Sequence, residues 1–74
     1  MKQYYDILIL FDIGKPVSRL QMLNTGAITK RVRYTDEDIR ILAEELNYIQ
    51  KIGENEFKEP LYIITPAGKH YRDN

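Results

Sequence analysis

Thr35-Asp36-Glu37-Asp38-Ile39-Arg40-Ile41-Leu42-Ala43-Glu44-Glu45-Leu46-Asn47 is the stretch on which the reading of the fold turns. Thr35 reads as a helix N-cap, and the acids behind it meet the positive end of the helix dipole. Ile39, Leu42, Ala43 and Leu46 follow at i, i+3, i+4 and i+7, an inward-facing stripe. Asn47 stands where the helix should end, and Asn tolerates the left-handed conformation of a C-terminal cap. The spacing therefore predicts a helix that starts behind Thr35 and closes at Asn47.

Downstream, Tyr48 to Ile52 alternates like a strand, Gly53 to Pro60 is a polar loop, and Leu61 to Ile64 is a second strand. Two strands joined by a charged loop make a hairpin. Thr65-Pro66 then opens a last short helix, with Thr as the cap and Pro at the first helical position.

Upstream the pattern is less decisive. Residues 2–13 place Tyr4, Ile7 or Leu8, and Phe11 on one helical face, yet Asp6 to Phe11 also reads as a buried strand. Helix is preferred because Gly14-Lys15-Pro16 is a good stop. Val17, Leu20 and Leu23 sit at helical spacing, with Ser18 as a cap and Asn24-Thr25-Gly26 as the closing turn. Residues 27–34 form a basic connector with some strand character. The fold class expected is α+β: three helices, a C-terminal β-hairpin and a short last helix.

Residues 39–71 resemble the winged helix-turn-helix domains of bacterial and archaeal regulators of the MarR and PadR families. The resemblance rests on Leu42 and Leu46, on Asn47-Tyr48-Ile49, and on Tyr62-Ile63-Ile64-Thr65-Pro66-Ala67-Gly68-Lys69. It implies a single winged-helix domain over residues 1–74, acting as a small transcriptional regulator or accessory protein. The third helix would enter the major groove of double-stranded DNA and the wing would run along the backbone. Lys30, Arg31, Arg33 and Arg40, with Lys51 and Lys58 bracketing the wing, are the bases this reading assigns to DNA. The connector before Thr35 exceeds the three- or four-residue turn of a compact helix-turn-helix.

Charge complicates that assignment. Over the 74 residues it sums to zero, but residues 1–34 carry +4, residues 35–57 carry −5 and the tail carries +1. With the core stripe facing inward, Glu37, Arg40, Ile41, Glu44 and Glu45 point outward, and three of these five repel a polyanion. The pI of about 6.6 falls short of the basic footprint of most DNA binders. The alternative reading is a protein-interaction module, in which Tyr4, Tyr5, Ile9 and Ile41 form an interface because one small core cannot bury them all. A homodimer is compatible with either reading.

Other classes find little support. The only histidine, His70, has no partner readable from the sequence, and Asp36, Glu37 and Asp38 lie on different sides of a helix. The glycines stand apart at turns, so no phosphate loop is present. No enzyme activity, metal, cofactor or small-molecule substrate is expected. Cysteine is absent, and Ile7 to Phe11 is too short for a membrane span or a signal peptide. The expected location is the cytoplasm, away from membranes.

Overall fold

Ser18, expected inside or at the cap of a helix, instead ends a two-residue strand and caps the helix that follows. The computed structural model describes residues 3–12, 14–29 and 33–74. Along them run α1 (Tyr5–Leu8), β1 (Val17–Ser18), α2 (Arg19–Thr29), α3 (Asp36–Arg40) continuing into a π-helical turn (Ile41–Glu45), β2 (Ile49–Glu54), β3 (Pro60–Ile64) and α4 (Pro66–Asp73). The strands form one antiparallel sheet in the order β1-β3-β2. The fold is α+β, and no helix among the described residues is long and apolar enough to cross a membrane.

The helix expected over 2–13 shrinks to a single α-turn. Leu10 and Phe11 donate to the carbonyls of Ile7 and Leu8, so the end tightens to i→i−3 bonds. The remaining carbonyls of Leu8 and Phe11 accept from the Arg72 guanidinium of α4, at 3.4 and 2.7 Å. That long-range donor lets the chain leave the helix early and drive Phe11 into the core.

At α2 the Ser18 hydroxyl accepts from Gln21 N–H (3.3 Å) while the Gln21 side chain accepts from Ser18 N–H (2.9 Å). This reciprocal pair is a capping box. The helix does not stop at Asn24-Thr25-Gly26 but runs on to Thr29. Met22, Thr25 and Gly26 are buried at i, i+3 and i+4, and packing there overrides the turn propensity of Asn and Gly.

Thr35 caps α3 as expected: its N–H and hydroxyl both donate to Asp38 Oδ2, at 2.8 and 3.2 Å. Ile39 and Leu42 are buried. Leu46, expected inward, is 37% exposed. The reason is the π-helical turn, where Leu46 N–H reaches back five residues to the Ile41 carbonyl (2.9 Å). One extra residue in that turn rotates everything after it, so Ile41 swings toward the core and Leu46 swings away. Asn47 closes the element in the left-handed conformation (φ 57°).

The core gathers Tyr4, Ile7, Leu8, Phe11, Val17, Met22, Ile39, Leu42 and Ile49. On the sheet, Ile49 pairs with Ile64 and Lys51 with Tyr62, and a bulge at Ile52 then shifts the register so that Gly53 faces Leu61. Thr65 caps α4 by accepting from Gly68 N–H (3.0 Å), and Tyr71 stacks on Tyr48 with ring centroids 4.7 Å apart.

Candidate functional site

Of the bases assigned to DNA, Lys30 and Arg31 lie outside the described residues. Arg33 is exposed just before α3, and Lys58 sits exposed at the hairpin tip in the left-handed conformation. Arg40 is held on its own helix. Its guanidinium bonds Glu37, reaches Glu45 at 2.6 Å and lies 3.5 Å from Glu44. The hydrogen bond from Arg40 draws the Glu37 carboxyl below its ordinary range. The outward face of α3 and its π-helical turn thus presents Asp36, Glu37, Glu44 and Glu45 around one guanidinium. Exposed pairs of this kind add little stability, but they fix the sign of the surface.

Beside this face lies a cleft of about 390 Å³ between α3, the start of α2 and the sheet. Ile39, Ala43, Pro60 and Tyr62 supply its apolar walls, and Lys51 stands on its lining without an ion pair among the described residues. Arg19, by contrast, is engaged, with Nε 3.2 Å from Asp36 and 3.8 Å from Glu59. The contacted Glu59 oxygen is buried and accepts no hydrogen bond, so this ion contact is its compensation.

The residues expected to form an interface divide. Tyr5 and Ile9 are exposed, and Leu10 beside them is exposed as well. Tyr4 is buried instead, because a left-handed turn (φ 62°) aims it at α3, where its hydroxyl donates to Asp38 (2.8 Å). Ile41 is half-buried and packs on the core, for the reason given by the π-helical turn. Sequence reasoning also missed Asp6, a buried carboxylate that accepts from the Tyr34 hydroxyl (2.6 Å), with the Tyr34 ring 5.8 Å from that of Tyr4. No spacing could have signalled a pair formed across 28 positions.

These tyrosines carry a pH prediction. Burial, reinforced by the hydrogen bond to Asp38, pushes the Tyr4 hydroxyl up to about 12, and burial with Asp6 raises Tyr34 in the same way. A phenol that holds its proton more tightly when folded stabilises the fold below its unfolded value of 10.0. That contribution is lost as pH rises from there toward the folded value. Urea midpoints are therefore expected to fall between pH 10 and 12, and less steeply in Tyr4→Phe than in the native chain. Parallel declines in the two proteins would contradict the assignment.

Missed too was Phe57, 77% exposed at the hairpin tip, together with exposed Ile52 at the bulge. A lone aromatic in Gly53-Glu54-Asn55-Glu56-Phe57-Lys58 has no periodicity to reveal it. Among the described residues no group of His, Asp or Glu side chains is arranged to hold a metal ion. Comparison with protein families, with curated proteins and with solved structures gives no match.

Proposed function

We propose that this chain is a winged-helix module that works by binding protein rather than by reading duplex DNA. The winged-helix part of the reading is supported by the element order, with β1 inserted between α1 and α2 and pairing with β3, and with β2–β3 as the wing. In that arrangement α3 is the helix that would enter the major groove.

One observation carries the rest: the single base on the outward face of α3, Arg40, is already engaged by Glu37, Glu44 and Glu45. Phosphate contact needs bases whose counterions can be released, and this face offers four carboxylates instead. The wing carries exposed Glu54 and Glu56 against Lys51 and Lys58, which gives no compensating positive strip. Exposed Tyr5, Ile9, Leu10 and Phe57 are the kind of surface that protein partners cover.

Titration of the chain against a fluorescent generic duplex tests the reading. No binding is expected at micromolar protein in low salt, where electrostatic attraction is greatest. Micromolar binding that weakens steeply with added salt would overturn it and return the α3 face, the connector and the wing to the role of a DNA surface.

A further inference from the structure

We propose that Phe57 is the anchor by which this chain binds a second copy of itself, seated in the cleft between α3 and the sheet of that copy. The inference rests on the reading as a protein-binding module and names its partner.

The first argument is exposure. At 77%, Phe57 is the most exposed aromatic among the described residues; Tyr5 follows at 39%. Buried aromatic anchors dominate protein interfaces, and a free one on a wing tip is an anchor without a seat.

The second is rigidity. The Asn55 side-chain oxygen accepts from the N–H groups of Phe57 (2.9 Å) and Glu59 (3.0 Å). Asn55 N–H donates to the Glu59 carbonyl and Lys58 N–H to the Asn55 carbonyl, at 3.0 and 2.9 Å. Lys58 is held at φ 63°, a conformation that persists in a non-glycine residue only where its surroundings impose it. The loop that presents Phe57 is therefore ordered before any partner arrives, which lowers the entropic cost of binding.

The third is the seat. The cleft is apolar at Ile39, Ala43, Pro60 and Tyr62, and its volume of about 390 Å³ leaves room for a phenyl ring. Charge selects the occupant. Glu54 and Glu56 flank the tip, exposed and without ion pairs among the described residues, and Lys51 lines the cleft equally unpaired. A phenyl ring entering beside Lys51 brings Glu56 with it, so anchor and seat match in both shape and sign. Because both belong to one hairpin and its neighbouring helix, two copies can exchange tips reciprocally about a two-fold axis, which closes the assembly as a dimer.

Sedimentation equilibrium across a concentration series tests this. The native chain is expected to show a monomer–dimer equilibrium. Phe57→Ala should weaken it at least about 30-fold, the loss typical of an anchor residue, while leaving the melting curve unchanged. Lys51→Glu should weaken it as well, and Lys51→Glu combined with Glu56→Lys should recover most of the loss. A native chain that stays monomeric, or a dimer indifferent to Phe57→Ala, would overturn the proposal. In either case the duplex titration stays separate: absence of duplex binding would leave the protein-binding reading standing with a different partner or surface, and duplex binding would remove that reading too.

Discussion

Gly68→Ala is expected to destabilise the chain by about 3 kcal/mol or more, the upper end of overpacking effects. The usual expectation at a helical glycine is the reverse, since alanine is favoured by about 1 kcal/mol in a helix. Here a methyl group has no space. It would overlap the Tyr48 carbonyl oxygen, with the carbonyl carbon at 2.9 Å and Ile64 Cγ1 at 3.0 Å. The oxygen cannot move freely because it accepts from Thr65 N–H (3.0 Å), and the adjoining Asn47 carbonyl accepts from the Thr65 hydroxyl (2.6 Å). Relief therefore means lifting the start of α4 off the junction between the π-helical turn and β2. A chain of this length has only about 4–11 kcal/mol of total stability, so the loss should be plain in a urea melt. A variant as stable as the native chain would show that α4 is not docked this closely.

Leu42→Ala should cost about 2–5 kcal/mol, because Leu42 is fully buried at the centre of the core and its neighbours cannot collapse into the space. Leu46→Ala, on the same helical stripe in the sequence, should cost about 1 kcal/mol or less, closer to the range of surface changes. The contrast between the two isolates the π-helical turn: a regular α-helix through Leu46 would keep both leucines on one face and make the costs similar. Parallel denaturant melts of the two variants decide it.

That pair also marks where the sequence could be read and where it could not. Thr35 and Asn47 bracket the helix through local chemistry, a cap at one end and a left-handed residue at the other, and both are where the spacing puts them. The inserted residue before Leu46 leaves no local mark, since no Gly or Pro interrupts Ile41 to Glu45. The hairpin was legible because its two alternating runs are separated by polar residues. Val17 and Ser18 were not legible as a strand, because a two-residue strand exists only through its pairing with Leu61 and Tyr62. The early end of α1 depends on Arg72, more than sixty positions away, which supplies donors to its carbonyls.

The candidate surface was readable to a similar extent. An acidic outward face on α3 follows from the stripe alone, and the structure adds that Arg40 is bound up within it. Tyr4 was misplaced because a left-handed turn precedes α1, and no helical projection anticipates such a turn at a tyrosine. Phe57 escaped notice because its significance comes from the Asn55 turn that holds it outward, and that is geometry rather than pattern.

An amide chemical-shift map of the isotope-labelled chain, recorded with added duplex and then against its own concentration, tests the central claim most directly. The account predicts no shifts with duplex. With rising protein concentration it predicts shifts centred on residues 54–58 and on Ile39, Ala43, Lys51 and Tyr62. Shifts with duplex at Arg33, along Asp36 to Arg40 and at Lys58 would contradict it.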